Sequence, residues 1–327
     1  MRRGIWGFIF CLLLSTSAQA EEVKLVLQGL KGELKENTRI YLQQLHPIQV
    51  EQLPRFETDI KTAVAESLQA LGYYSPDIEI IEDKNKPSRV VVKVKAGKPV
   101  RIRNLTIDIS GEAKSDPKFA ALLKKLPLHN NDVFQHNTYE KTKASLESLA
   151  LSRGYFDATY SHHQVLVHPQ DYAADVILSF NSGPRYKFGE ITVDSDRPAD
   201  RILTPLLNIK PGEPYLASRL AELSRSLSNA GYFKRVDVLP NVTKADADHQ
   251  VPLTIALRAK SNNEVEVGIG YSTDEGPRLS TSWEKPWINS LGHSLKTNLK
   301  ISAPKQDISV VYKIPRGDPL NHYYTVQ

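Results

Sequence analysis

Histidine and cysteine are the residue types here that could support catalysis or metal binding. The nine histidines contain no HExxH pattern, and His162, His163 and His168 fall in a predicted strand and the turn after it. Adjacent side chains on a strand point to opposite faces, so His162 and His163 cannot easily ligate one metal ion. Cys11 is the only cysteine, no GxSxG sequence occurs, and no carboxylate pair stands out. We therefore expect no enzyme activity, no cofactor and no metal site.

Residues 1–20 have the pattern of a secretory signal peptide. Two arginines precede an apolar run from Ile5 to Leu14, and Ala18-Gln19-Ala20 offers a small-x-small cleavage site. The run is too short to cross about 30 Å of hydrocarbon, and an uncleaved anchor is the alternative. Cleavage removes Cys11 and lowers the net charge from +5 to +3. A cysteine-free exported chain fits the Gram-negative periplasm or outer membrane, and so small a charge gives no basis for nucleic-acid binding.

A glycine followed by two aromatic residues occurs three times and indicates an internal repeat. Apolar residues recur four and eight positions before each glycine, which predicts a helix that packs on a sheet. Each glycine then lies where a helix C′ residue with positive φ belongs. The copies are Gly72-Tyr73-Tyr74, Gly154-Tyr155-Phe156 and Gly231-Tyr232-Phe233.

The sequence around each copy predicts the same five elements, a β-α-α-β-β unit of the α+β class over about 80 residues. The opening strands are Val23–Gln28, Arg101–Ile109 and Tyr186–Val193. Short helices follow near Glu36–Leu45, Asp116–Leu126 and Pro198–Leu207, ahead of the helix that ends at the glycine. A hairpin closes each unit: Asp77–Ile81 with Arg89–Val94, Ala158–Val167 with Ala174–Phe180, and Arg235–Leu239 with Val251–Arg258. The predicted domains are 21–96, 97–182 and 183–260, with Gly-Pro turns at the first two junctions.

Residues 261–327 change to strict alternation. In Glu264–Tyr271, one face carries Val265, Val267, Ile269 and Tyr271, and the other carries Glu264, Glu266, Gly268 and Gly270. Three further runs alternate in the same way: Arg278–Trp283, Ser294–Ser302 and Asp307–Ile314. This pattern suits a soluble sandwich or a transmembrane β-barrel.

Three features favour the barrel: aromatic residues near the strand ends, the export signal, and apolar faces without charged residues. The aromatic residues are expected to form an interfacial belt. They are Tyr271, Trp283, Trp287, Tyr323 and Tyr324. The segment is too short to close a barrel of at least eight strands. We therefore expect the chain to be a fragment of a longer protein or a truncated product.

The glycine-aromatic units resemble POTRA domains, the periplasmic modules that precede an outer-membrane barrel in the BamA superfamily. Three segments resemble the barrel entry of the TamA branch: Gly268–Arg278, Trp283–Asn289 and Gly292–Leu295. The resemblance covers essentially all of the mature chain. The number of units agrees, because TamA-like proteins have three POTRA domains, BamA-like proteins typically five and two-partner secretion transporters two. The remainder of a sixteen-stranded barrel is missing from this sequence.

The resemblance implies an outer-membrane factor that assembles or inserts outer-membrane proteins, autotransporters included. Its expected partners are a TamB-like protein anchored in the inner membrane, unfolded clients and outer-membrane lipid, with the POTRA domains in the periplasm. Lipid traffic between the membranes is a further implied role. A soluble periplasmic binding or scaffold protein and a two-partner-secretion-type transporter are the alternative functions.

Strand edges are the candidate sites. The first hairpin strands, Asp77–Ile81, Ala158–Val167 and Arg235–Leu239, could pair with an extended client strand, unless the assembled protein covers them. The resemblance implies that the first and last barrel strands pair weakly, so Glu264–Tyr271 would form a labile seam. Gly268 and Gly270 would weaken that strand, or they could merely relieve crowding inside the barrel.

Overall fold

The computed structural model describes residues 22–45, 53–83, 86, 88–198, 200–273 and 276–327. The expected signal peptide at 1–20 and its cleavage site lie outside the described residues. The described residues fall into two compact units: one contains those up to Leu105 with 127–142 and 164–176, and the other contains those in 106–126, 143–163 and 177–327.

The described residues contain the predicted β-α-α-β-β order three times, which confirms the repeat. The first copy consists of β1 Lys24–Gln28, α1 Gly32–Gln43, α2 Leu53–Gln69, β2 Asp77–Glu82 and β3 Arg89–Lys95. The second consists of β4 Arg101–Ser110, α3 Pro117–Leu123, α4 His136–Arg153, β5 Thr159–His168 and β6 Ala173–Asn181. The third consists of β7 Lys187–Ser195, α5 Asp200–Leu203, α6 Ala217–Asn229, β8 Phe233–Pro240 and β9 Gln250–Ala259.

The last strand of each copy lies at the centre of its sheet. The strand orders among the described residues are β1-β3-β2, β4-β6-β5 and β7-β9-β8. In the first and third sheets the opening strand pairs with the central strand in parallel, and the first hairpin strand pairs with it antiparallel. The strands β2, β5 and β8 are therefore edges, as the sequence predicted.

The longer helix of each copy covers one face of its sheet. The positions four and eight residues before each repeat glycine are completely buried: Leu68 and Val64, Ala150 and Leu146, Leu227 and Leu223. In the first sheet they pack with the inward side chains of β3, where Val90, Val92 and Val94 alternate with more exposed neighbours. Burial of aliphatic side chains contributes about 1.5–3 kcal/mol each, so these small cores supply the stability of each unit.

All three short helices end earlier than predicted. Helix α1 begins at Gly32 and ends at Gln43, ahead of the predicted Glu36–Leu45 at both ends. Helix α3 ends at Leu123 and not at Leu126, and α5 ends at Leu203 and not at Leu207. Proline follows the ends of α3 and α5, at Pro127 and Pro205. A proline disfavours helical geometry at the residue before it, so the helix stops ahead of that residue.

The segment after the third copy is an antiparallel meander of five described strands. They are β10 Glu264–Ser272, β11 Gly276–Lys285, β12 Ser294–Ser302, β13 Gln306–Pro315 and β14 Tyr323–Val326, paired in chain order. Strand β11 begins at Gly276, inside the predicted turn, because Gly276 and Pro277 pair with Ser272 and Tyr271. None of the described helices has the length and apolar character that a membrane span requires.

One side of this meander, called the apolar face below, collects the outward aliphatic and aromatic side chains. The register aligns Val265 with Trp283, Ile269 with Leu279, and Leu279 with Ile301. The exposed members of the face are Val265, Val267, Ile269, Tyr271, Leu279, Trp283, Leu299, Ile301, Ile308, Val310, Tyr324 and Val326. The opposite side carries polar groups such as Ser282, whose hydroxyl lies 2.9 Å from Asn298 Oδ1.

Candidate functional site

The repeat glycines end their helices in a left-handed conformation. Gly72, Gly154 and Gly231 have φ values of +92°, +83° and +84°. In the first copy the N–H of Tyr73 donates to the Leu68 carbonyl at 2.9 Å, which closes the last helical turn. A residue with a side chain would be strained in this conformation, so the turn itself requires glycine.

Two of these glycines are also the places where one repeat unit contacts the next. The Gly72 carbonyl accepts a hydrogen bond from Val100 N–H at 2.8 Å, and the Gly154 carbonyl accepts one from Tyr186 N–H at 2.8 Å. A Cβ on Gly72 would lie 2.5 Å from the Phe134 oxygen, and a Cβ on Gly154 would lie 2.7 Å from Tyr215 Cβ. Glycine is therefore needed at these two positions for the contact between neighbouring repeat copies as well as for the turn.

The loops that contact these glycines make the same hydrogen bond in the second and third repeat copies. Phe134 N–H donates to the Val100 carbonyl, and Tyr215 N–H donates to the Tyr186 carbonyl, both at 2.9 Å. Both aromatic side chains are buried. Sequence reasoning missed them, although a signal exists: each aromatic residue lies shortly before the helix that leads to the next repeat glycine.

The third glycine has a different neighbour. A Cβ on Gly231 would meet no heavy atom within 4 Å. Here the next residue makes the contact: Tyr232 Oη donates to the Gly292 carbonyl at 2.7 Å, and Trp287 Nε1 donates to the Tyr232 carbonyl at 3.0 Å. Burial raises the pKa of Tyr232 to about 12, so its hydroxyl remains a protonated donor at neutral pH.

Trp287 is consequently not a member of an aromatic belt, and that part of the prediction is wrong. Its side chain is only 6% exposed and belongs to the same core as Ile202 and Phe233 of the third unit. The loop between β11 and β12 turns the indole towards this core, where the Tyr232 carbonyl satisfies its N–H. The other four aromatic residues of the predicted belt are exposed, and their role stays a prediction.

Strand β10 is an edge of the described meander, since it pairs only with β11 there. All six residues proposed for a seam lie on it: Val265, Val267, Gly268, Ile269, Gly270 and Tyr271. The four larger side chains belong to the apolar face, and Ile269 is the most exposed of them at 88%. The two glycines lie on the polar side.

The glycines of β10 leave space for longer side chains from β11. A Cβ on Gly268 would lie 2.7 Å from Ser280 Oγ, and one on Gly270 would lie 3.0 Å from Arg278 Nε. Glu264 lies at the start of the same side, with Lys260 Nζ 3.4 Å from its carboxylate. Each glycine therefore has a side chain of β11 that a larger residue would crowd, which agrees with the hypothesis that the glycines relieve crowding. The hypothesis that they weaken the strand stays a prediction.

The described histidines do not form a cluster that could bind a metal. His162 and His163 are exposed on β5, and His168 Nε2 lies 3.4 Å from Asp175 at the end of that strand. Among the described residues, no group of three histidine, cysteine, aspartate or glutamate side chains has a geometry suited to a metal ion.

Comparisons with known families cover the repeat region. Residues 24–96 match the family described as "POTRA domain TamA domain 1". Residues 100–183 and 186–260 each match POTRA, described as "Surface antigen variable number repeat". Residues 24–260 are three POTRA domains. We number them POTRA1, POTRA2 and POTRA3 in chain order.

Solved structures of the same fold include BamA from Haemophilus ducreyi lacking POTRA domains 1–3. The TM-score is 0.50 at 15% identity, over 67% of this chain and 40% of that chain. POTRA3–5 of Haemophilus influenzae BamA matches with a TM-score of 0.40 at 17% identity, over 74% and 96%. CdiB from Acinetobacter baumannii matches with 0.36 at 16%, over 88% and 52%. The predicted fold class, POTRA-like domains followed by antiparallel strands of the barrel type, is confirmed, and the chain spans 40% of the first structure.

POTRA2 contains a buried ion pair that sequence reasoning did not single out. Asp116, which caps α3 by accepting from Lys118 N–H, also accepts from Arg153 Nε at 2.6 Å and from Tyr155 Oη at 3.2 Å. Burial alone would raise the pKa of Asp116, but these hydrogen bonds and the Arg153 charge outweigh burial and hold the pKa below its usual value. The tyrosine of the repeat motif is thereby tied to the first helix of its own domain.

Proposed function

We propose that this chain is the periplasmic and barrel-entry part of an outer-membrane factor that assembles or secretes outer-membrane proteins. The observation that carries the proposal is the exposed apolar face that ends at β10, an edge strand of the described meander, directly after three POTRA domains. In water such a face is unfavourable, and a lipid environment removes that cost. POTRA1–3 would lie in the periplasm and the meander in the outer membrane.

The proposed work requires pairing of backbone groups and no chemical reaction. An edge strand has N–H and C=O groups without partners on one side, and an extended client strand satisfies them by β-augmentation. Inside a membrane this pairing is more favourable, because water is absent and every unpaired backbone group is costly. We therefore propose no enzyme activity for the chain.

Strand β10 is the proposed template for the client strand. In the complete barrel its outer edge would pair with the closing strand, and glycines at 268 and 270 would keep this pairing weak enough to open. The edges β2, β5 and β8 would give clients or partners earlier binding places in the periplasm.

The match of residues 24–96 to domain 1 of TamA supports a TamA-like role. On that basis the proposed partners are a TamB-like protein anchored in the inner membrane and unfolded outer-membrane or autotransporter clients. POTRA1, the domain farthest along the chain from the meander, is the proposed contact for the TamB-like protein. Lipid traffic between the membranes is the second role proposed for the same assembly.

Disulfide trapping tests the client-binding role of β10. The proposed mature chain has no cysteine, so Val267→Cys provides one thiol on the edge strand. The matched control is Leu299→Cys, which lies on the same apolar face but in β12, between two paired strands. A stalled client with single cysteines along its last strand is expressed with each variant.

We expect disulfide adducts with Val267→Cys whose yield alternates along the client strand, and few with Leu299→Cys. Alternation follows because every second residue of a paired strand points to the same face. Equal yields from both positions, or adducts without alternation, would mean that clients touch the apolar face without pairing with β10, and the proposal would be withdrawn.

A further inference from the structure

A basic cavity of about 480 Å³ lies where the end of β11 meets POTRA3. Its walls include the Trp287 ring, and its polar lining has two cations and several amide or hydroxyl groups but no carboxylate among the described residues. The polar lining residues are Arg197, Asn262, Asn263, Lys285, Asn289 and Ser290. None of them belongs to the strand edges discussed above.

The cavity places the side chains of two cations, Arg197 and Lys285, in one lining. Arg197 Nη2 donates to Asn262 Oδ1 at 2.5 Å, and its guanidinium group lies 6.0 Å from the centre of the Trp287 ring. Among the described residues, neither Arg197 nor Lys285 forms an ion pair with a carboxylate. The oxygen of Asn262 is occupied by Arg197, so this side chain offers an anion its amide N–H groups.

The cavity continues the apolar face beyond its last aromatic residue. Lys285 follows Trp283 by two positions on β11, so both side chains point to the side that carries Val265. The Trp283 indole N–H donates to Asn263 Oδ1 at 3.3 Å. Along this surface the order is therefore aliphatic side chains, an indole, and then cations with amides. Hydrocarbon, interface and headgroup follow each other in the same order in a bilayer.

We propose that this cavity binds the phosphate group of a phospholipid in the periplasmic leaflet of the outer membrane. Guanidinium, ammonium and amide N–H groups are the donors that a phosphate accepts. The acyl chains would extend along the apolar face next to Trp283. A free phosphate ion would use the cations alone, whereas the continuity of the cavity with this face favours a lipid. The inference rests on the proposed membrane location of the meander.

Native mass spectrometry of the detergent-purified full-length protein tests the site. The protein is titrated with dioleoylphosphatidylglycerol, with dioleoylglycerol, which has the same chains but no phosphate, and with inorganic phosphate. The test variant is Arg197→Gln/Lys285→Gln. The control, Lys234→Gln/Lys244→Gln, removes the same charge from two exposed positions of POTRA3. Lys285→Gln alone is included, because Arg197 packs on Trp287 and its loss could disturb the fold.

We expect phosphatidylglycerol affinity to fall about fivefold for each cavity cation removed, and about 25-fold for the double variant. The control variant should bind as the unmodified protein does, and dioleoylglycerol should bind weakly and equally to all variants. The proposal is overturned if both double variants lose affinity equally, if Lys285→Gln has no effect, or if inorganic phosphate binds as tightly as the lipid.

A separate measurement distinguishes failure of this site from failure of the proposed function. Membrane fractionation and heat-dependent gel mobility of the same variants report barrel insertion without reference to the cavity. If the variants insert normally but phosphatidylglycerol binding does not depend on the two cations, only the lipid site is wrong. If the unmodified protein does not insert, the proposed function fails, and the lipid site fails with it.

Discussion

Alanine at Gly154 and alanine at Gly231 should have different effects although the two glycines have the same backbone conformation. Their φ values are +83° and +84°, so alanine introduces about the same backbone strain at both, about 1–2 kcal/mol. At position 154 the new Cβ would also lie 2.7 Å from Tyr215 Cβ, whereas at 231 it meets nothing within 4 Å. Overpacking of this kind costs a further ~1–3 kcal/mol.

Hydrogen exchange measured by mass spectrometry reports the loss of stability at the contact between POTRA2 and POTRA3. The informative amides are Tyr186 N–H, bound to the Gly154 carbonyl, and Tyr215 N–H, bound to the Tyr186 carbonyl. In Gly154→Ala, a loss of about 1–3 kcal/mol at the junction should accelerate their exchange about 5- to 150-fold. In Gly231→Ala the same peptides should accelerate less, because this variant strains the POTRA3 backbone but adds no overpacking at the junction.

If both variants accelerate exchange at Tyr186 and Tyr215 to the same extent, strain at the helix end explains the effect and the contact between POTRA2 and POTRA3 does not. If Gly154→Ala leaves both amides protected, the loop around Tyr215 adapts without cost, and the glycine is needed for the turn alone.

Three further predictions concern the ion pair, the tryptophan and the apolar face. Asp116→Asn should destabilise POTRA2 by about 1.5–3 kcal/mol, because a buried hydrogen-bonded charge is lost. Since the folded pKa of Asp116 is lowered, its contribution is present above the unfolded value of about 3.9 and disappears as the pH falls through the folded pKa. The difference in unfolding free energy between the two proteins should therefore stay constant from pH 7 to about pH 4 and shrink as the pH is lowered further, and a difference that does not shrink below about pH 4 would contradict the role of Asp116. Trp287→Ala should destabilise POTRA3 by about 3–5 kcal/mol and Trp287→Phe by less, since phenylalanine loses mainly the hydrogen bond to Tyr232. Chemical denaturation followed by POTRA3 peptide exchange measures both, and equal stability of all three proteins would contradict the buried position of the indole. Ile269→Lys should weaken membrane insertion by up to about 2–4 kcal/mol, whereas Ser309→Lys on the polar side should change it little; similar insertion yields from the two would contradict the assignment of the faces.

Much of this fold could be predicted because its elements have local signals. The glycines at 72, 154 and 231 end helices whose buried positions recur every four residues, and both features depend only on nearby sequence. Edge positions for β2, β5 and β8 followed from the hairpin order. The ends of α3 and α5 were predicted too late in the sequence, although Pro127 and Pro205 indicate that each helix must end before them.

The contacts between units could not be predicted in the same way, because they join residues that are distant in sequence. Trp287 lies near a strand end, where an interfacial aromatic residue is expected. Only the folded loop between β11 and β12 shows that its side chain points towards the POTRA3 core. Phe134 and Tyr215 likewise act on the glycine of the preceding unit. The cavity at Arg197 and Lys285 combines residues from three separate segments, so no single motif indicated it.

Lipid accessibility along β10 shows whether this strand faces the membrane, on which the proposed assembly function depends. Single cysteines at each position from 264 to 272 would carry an environment-sensitive fluorophore in the full-length protein, reconstituted with lipids that bear a quencher in their acyl chains. If β10 faces the membrane, quenching should have a period of two, strong at Val265, Val267, Ile269 and Tyr271 and weak at the positions between them. Quenching that is uniform along the strand, or absent at Ile269, would contradict a membrane-facing β10 and the assembly function built on it.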